Sequence, residues 1–270
     1  MKKKNNVLLI SLMFSIFCLP AFFGFTRPVE NEETLEREKI EKYLKNARII
    51  HIDDETQSGR TSAWDITLDD GQVKRKARFK YVNRHRPRIP PDSYQYELAA
   101  YELNKLLELD IVPPVIQRTI EDMEGSLSVF VEDCIPETER KALQLEPPDA
   151  QCRKQMDIVI VFENLVAEVK HSLSDILIDC EKWKVWRVDF SEAFEIRNSL
   201  MDSNPITCCS KSLYQNLLKL EKNELEERLK PWLNQPEIDS LWFRKQLITD
   251  TLGKLIAEKG QDTVLFDLHK

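Results

Sequence analysis

Asp157 to Phe194 reads DIVIVFENLVAEVKHSLSDILIDCEKWKVWRVDFSEAF. It opens on an amphipathic run, passes through the polar break Lys170-His171-Ser172, and ends in two short apolar runs. The first has helical spacing and the last two have strand length, so the pattern predicts a helix, a loop and a β-hairpin. The second apolar run ends on a carboxylate, Asp189. Such a unit gathers acids in one place, and carboxylate oxygens held together suit a divalent cation and the phosphates it carries.

Upstream, the period is that of strands. ARIIHI from Ala47 reads as a strand, DETQSGR as a polar loop containing Gly59, and SAWDITL as a second strand. Asp69-Asp70-Gly71 is a turn signal, and KRKARFKYV resumes the alternation, with Ala77, Phe79 and Tyr81 on one side and Lys76, Arg78 and Lys80 on the other. Next comes a helix with apolar residues at Leu98, Ala99, Tyr101, Leu103, Leu106 and Leu107, opened by Asp92 and Gln95 in capping-box spacing. Glu97 lies early in it. IVPPVIQRTI and SLSVFVEDCIP add two strands around the turn EDMEG. The expectation is a five-stranded antiparallel sheet with one helix over residues 47–135, and a Pro- and charge-rich inter-lobe connection over 136–150. Residues 151–270 are expected to form a mainly α-helical lobe, helical throughout after Asp189, with Trp232 and Trp242 in its core. The fold class is therefore α+β and bilobal. Residues 26–46 read as a linker and short helix that hold the domain off a membrane.

The 270 residues, 42% of them hydrophobic and only 6 of them glycine, suffice for one large domain or two small lobes. The net charge is −7, which argues against general nucleic-acid binding because that needs basic surface. The basic strip Lys74 to Arg88 is a local exception and reads as a solvated strand edge and loop. MKKKNN followed by 19 uncharged residues, 7–25, reads as a signal peptide or an N-terminal membrane anchor. The expected location is exported, on a periplasmic or extracellular face, with membrane contact only through this segment. Five cysteines lie beyond it, Cys134, Cys152, Cys180, Cys208 and Cys209. An odd number without CxxC spacing predicts free thiols rather than a disulfide framework or a zinc site.

SYQYELAAYELNKLLELDIVPP, followed by GSLSVFVED, resembles the atypical kinase-like group that contains HipA-type kinases and the secretory-pathway Golgi casein kinases, and most of all its uncharacterised bacterial members. The matching positions include Glu97, Ala99, Ala100, Tyr101, Leu103, Pro113, Pro114, Gly125 and Ser126. The likeness runs over roughly residues 47–268. It implies that Gly59 belongs to a loop over nucleotide phosphates and that Lys80 and Glu97 pair to orient those phosphates. It also implies that Asp175 and Asp189 hold Mg or Mn with ATP.

The same resemblance places Lys170 where the catalytic aspartate belongs, Glu168 where a loop asparagine belongs, and Ser174 in place of a glycine. An ammonium has no lone pair to accept the proton of an attacking hydroxyl. The implied function is a pseudokinase that binds or scaffolds an unknown protein partner and retains metal–nucleotide binding. The alternative is an active, atypical phosphotransferase. A third reading, likeness of fold alone, would leave Lys80 and Glu97 apart as surface charges.

Overall fold

The computed structural model describes residues 32–54, 62–86, 89–169, 171–203 and 205–268. After α1 (Glu32–Asn46) come β1 (Arg48–Asp53), β2 (Ala63–Asp69), β3 (Lys74–Lys80), a hairpin of β4 (Asn83–Arg86) and β5 (Ile89–Ser93), then α2 (Tyr94–Leu106), β6 (Val115–Ile120) and β7 (Met123–Val129). Strands β1, β2, β3, β7 and β6, in that spatial order, make the antiparallel five-stranded sheet. The β2–β3 turn forms because Asp69 Oδ1 accepts from Gly71 N and Asp70 Oδ1 accepts from Gln72 N and Val73 N, while Gly71 takes φ +90°. That turn sets the register that ends with Lys80 opposite Ala63 on one side and Ser126 on the other.

Alternation along β3 sends Ala77 and Phe79 into a core with Leu44, Ile66, Leu68, Ile120 and Leu127. Leu44 comes from α1, and Tyr43 Oη donates to Leu68 O at 2.8 Å. The expected short helix is therefore present as α1, and it packs on the small lobe. Lys80, the next residue after Phe79, points to the opposite face, toward α2. Gly125 is required where β7 passes it: a Cβ there would sit 2.3 Å from the Lys80 carbonyl oxygen and 2.6 Å from the Phe79 ring.

Helix α2 begins one residue later than the capping-box reading. Ser93, not Asp92, is the N-cap, and its side chain accepts from Gln95 N. The β4–β5 hairpin uses the residues before it, which sequence periodicity did not reveal. At the other end, buried Asn104 donates to Leu109 O and accepts from Ile111 N and Val112 N, fixing the turn into β6.

The second lobe contains β8 (Cys134–Pro136), α3 (Glu137–Ala142), α4 (Gln151–Val166), β9 (Ile176–Asp179), β10 (Lys184–Arg187), β11 (Cys209–Ser210), α5 (Lys211–Lys219), α6 (Lys222–Leu229), α7 (Gln235–Lys259), α8 (Gln261–Val264) and β12 (Leu265–Phe266). Strand β8 leaves the small sheet to pair with β9. Helix α7 starts at a full capping box, Asn234 with Glu237, and has a proline in its first turn. Glu237 Oε1 also accepts from Tyr96 Oη at 2.5 Å, so α2 is tied to the start of α7. Trp232 and Trp242 are half-buried against the core rather than inside it.

The expectation of helix throughout after Asp189 fails between Asp189 and Cys208, where no regular element forms among the described residues. Phe194 takes φ +58°, which stops a helix. Fully buried Arg244 of α7 holds the loop through the carbonyls of Glu195 and Arg197, and α4 through that of Leu165. The five cysteines beyond residue 31 are free. No helix among the described residues is long and apolar enough to cross a membrane. Residues 1–25, where a signal peptide or anchor is expected, lie outside the described residues.

Gly125→Ala must push β7 off β3 at Lys80 and is expected to cost about 2–3 kcal/mol, as overpacking against backbone does. A fall in urea midpoint with unchanged slope checks it. An unchanged midpoint contradicts the close approach.

Candidate functional site

Lys80 closes β3 and Glu97 lies in the first turn of α2, and the structure brings them together: Lys80 Nζ donates to Glu97 Oε1 at 2.5 Å. The same ammonium donates to Asp189 Oδ1 at 2.7 Å. Glu97 Oε1 accepts a second bond, from Phe190 N at 3.0 Å. One carboxylate oxygen from α2 thus holds both the β3 lysine and the backbone just after Asp189. Lys80 is only 8% exposed, unlike Lys74, Arg75 and Lys76 on the same strand, which are exposed. Burial works against its charge, but Glu97 and Asp189 outweigh that and hold the ammonium protonated well above the ordinary lysine range. Burial pushes Glu97 upward in spite of Lys80. Its two donors make the charged pair the resting form. Burial acts on Asp189 too, yet Lys80 beside it pulls its carboxyl down to about 2.

Asp189 sits at φ +65°, a conformation that aspartate tolerates better than most residues. Arg187, fully buried at the end of β10, donates through Nη1 to the carbonyls of both Val188 and Asp189. Register then places the second acid. Ile176 pairs with Arg187, and Val188 N donates to Asp175 O at 2.9 Å. Asp175 and Asp189 therefore stand at the same open end of the β9–β10 hairpin. Ser172 Oγ and Ser174 Oγ bond to each other, and Ser174 Oγ donates to Asp175 Oδ1 at 3.1 Å. Among the described residues no group of three His, Cys, Asp or Glu side chains is placed to hold a metal. Two carboxylates fit Mg or Mn only when phosphate oxygens complete the shell, the usual arrangement for those ions on nucleotides.

Behind the acids lies a buried network that sequence reasoning missed. Arg187 Nε donates to Glu163 Oε1 at 2.7 Å, both side chains being essentially fully buried. The other Glu163 oxygen meets His171 Nδ1 at 2.6 Å. Glu168 comes just past the end of α4, where Ala167 turns left-handed at φ +50°. Its Oε2 is 3.5 Å from Arg187 Nη2, close enough for charge attraction but without a hydrogen bond. Burial first, then Glu163 and Asp189, raise the Glu168 carboxyl to about 7 against the pull of Arg187. The signal available in the sequence was Arg187 itself, a charge ending the short hairpin strand KVWR. Gly59 and Lys170 lie outside the described residues.

A solved structure of Fam20 from hydra with sugar aligns with this chain at a TM-score of 0.66, with 16% identity over 90% of this chain and 95% of that one. The Helicobacter pylori proinflammatory kinase CtkA aligns at a TM-score of 0.48 and 8% identity, over 81% of this chain and 97% of that one, too loosely to carry an argument. No protein-family model matches the chain, and no curated protein matches it in sequence. The fold is protein-kinase-like, an antiparallel sheet lobe joined to a mainly helical one.

Between about pH 4.5 and about pH 7 the folded chain keeps a proton on Glu168 that the unfolded chain has released. Its contribution to stability is complete below that window and is lost as pH rises through about 7. Melting temperature should therefore fall between about pH 5 and about pH 8. Glu168→Gln should flatten that part of the slope and raise the melting temperature at the alkaline end. An identical slope in the variant rules the assignment out.

Proposed function

We propose that this chain is a kinase-fold protein that binds a divalent metal with ATP in the cleft between its lobes. The observation that carries this reading is the Lys80 ammonium held between Glu97 and Asp189. It stands where an ammonium can meet phosphate oxygens, oriented by a buried carboxylate and next to a hairpin end bearing two acids. In this reading Lys80 and Glu97 position the phosphates, Asp175 and Asp189 hold Mg or Mn, and the loop containing Gly59 lies over the nucleotide. Its kinship in this reading is with bacterial members of the HipA-type and Golgi casein kinase group. The N-terminal segment, residues 7–25, exports the chain or anchors it outside the cytoplasm. With Lys170 in place of the loop carboxylate, the chain lacks the conventional proton acceptor. On that loop alone it is a pseudokinase whose metal–nucleotide complex stabilises a surface for a protein partner, with no role for nucleic acid. One observation favours the second reading, an active phosphotransferase: the same loop holds His171 against a buried carboxylate.

The test is thermal unfolding with ATP and either Mg or Mn. At ligand about 100-fold above its dissociation constant, binding adds about 2.7 kcal/mol, or roughly 5–10 °C for a domain of this size. The wild type should show that shift with metal present. Asp189→Ala should lose it, and Lys80→Met should lose most of it. A wild type that shifts with neither metal–nucleotide ends this reading.

A further inference from the structure

The loop joining α4 to β9 contains an arrangement that the lysine at 170 does not explain. His171 is about one quarter exposed, at 26%, while the Glu163 carboxylate against its Nδ1 has no exposure at all. Glu163 is fixed by helix α4 and by Arg187 Nε, so its position does not depend on the histidine. A carboxylate oxygen accepts and does not donate, so the contact places the proton on Nδ1 and leaves Nε2 as the accepting nitrogen of the neutral ring. A buried acid that fixes the tautomer and direction of a partly exposed imidazole is how proteins make a general base from histidine. Through Arg187 this pair is also joined to the Asp189 carbonyl. Asp175 lies four residues beyond the ring in the same loop.

We propose that His171 is the proton acceptor for phosphoryl transfer in this cleft and that Glu163 is its positioning residue. The proposal rests on the second reading above, an active phosphotransferase on bound metal–nucleotide, and goes further by assigning the chemistry. An acceptor hydroxyl gives its proton to His171 Nε2 while its oxygen bonds to the γ-phosphorus. The bond from that phosphorus to the oxygen bridging the β- and γ-phosphates breaks, and the electron pair leaves on the nucleoside diphosphate. The imidazolium then returns its proton to water. Nε2 need not be idle in the resting molecule, because the incoming hydroxyl replaces whatever it meets there. The base has thus moved one residue along the loop and changed from carboxylate to imidazole.

The experiment uses the full chain with Mn-ATP, water and the protein's own hydroxyls serving as acceptors. It compares the wild type with His171→Ala, Glu163→Gln and the double variant. His171→Ala should lower turnover on the order of 10²–10⁴-fold, the range for a lost general base, with the Mn-ATP thermal shift kept and part of the rate restored by added imidazole. Glu163→Gln, which still accepts from Arg187, should lower turnover too. The double variant should be no slower than His171→Ala, since the two act as one unit. Nitrogen-15 NMR of labelled histidine reads the same claim without turnover: the Nδ1-protonated ring of the wild type should lose that preference in Glu163→Gln. If alanine unfolds the loop, His171→Gln repeats the comparison. Equal rates in wild type and His171→Ala overturn the proposal. So does a wild type that is stabilised by Mn-ATP but transfers nothing, an outcome that leaves nucleotide binding standing. A wild type with no Mn-ATP shift takes both readings down together.

Discussion

The Lys80 ammonium is the point on which the rest of the molecule depends. It joins a strand of the small lobe to α2 and, 109 residues further along the chain, to Asp189 of the large one. Removing one partner of such a pair leaves a buried charge uncompensated, a loss of about 3–5 kcal/mol for a fully buried case and less for half-exposed Asp189. That penalty forces several otherwise separate elements into place. Strand β3 must end at Lys80, β7 must pass it with a glycine, and α2 must start at Ser93 so that Glu97 falls in its first turn. The hairpin must also turn Asp189 left-handed. Ser93 N donates to Ser191 O at 2.9 Å, so the helix start and the residue two past Asp189 are joined directly as well.

A second layer of charge supports the first. Arg187 spends its guanidinium on Glu163 and on the two carbonyls that precede and include Asp189. It has no exposure to water, and neither has Glu163. A fully buried pair of this kind gains little net stability over an apolar substitute. What it contributes is direction, because a planar guanidinium with fixed donors dictates where the carbonyls point. The left-handed turn at Asp189 follows from that constraint.

Much of this was legible in the sequence, and the failures have physical causes. Strands β2, β3 and β6 announced themselves because their buried and wetter positions alternate, and the Asp-Asp-Gly turn named its own geometry. Glu97 and Lys80 were readable from helix and strand phase, although nothing in the alternation distinguished buried Lys80 from solvated Lys76. Helix α1 was expected as a short helix, but its packing on the small lobe was not legible because charges dominate its composition. Its anchoring residues are few, Tyr43 and Leu44 foremost. The irregular path after Asp189 was invisible because Arg244, which holds it, lies more than 40 residues away and bonds only to backbone carbonyls. No side-chain pattern records such contacts. The Glu163–His171 pair was hidden likewise: the helix ends between them at left-handed Ala167, so no single period carries through from one residue to the other.

The tie between Tyr96 and Glu237 has a mechanical meaning. Glu237 serves two structures with one carboxylate. Oε2 accepts from the Asn234 backbone to close the cap of α7, and Oε1 accepts from the tyrosine of α2. An outward swing of α2, which would carry Glu97 away from Lys80, must pull on the group that seals the longest helix among the described residues. The cleft therefore has no independent hinge on that side. Widening it would have to break the Tyr96–Glu237 bond or strain the cap of α7, so the start of the long helix opposes that opening.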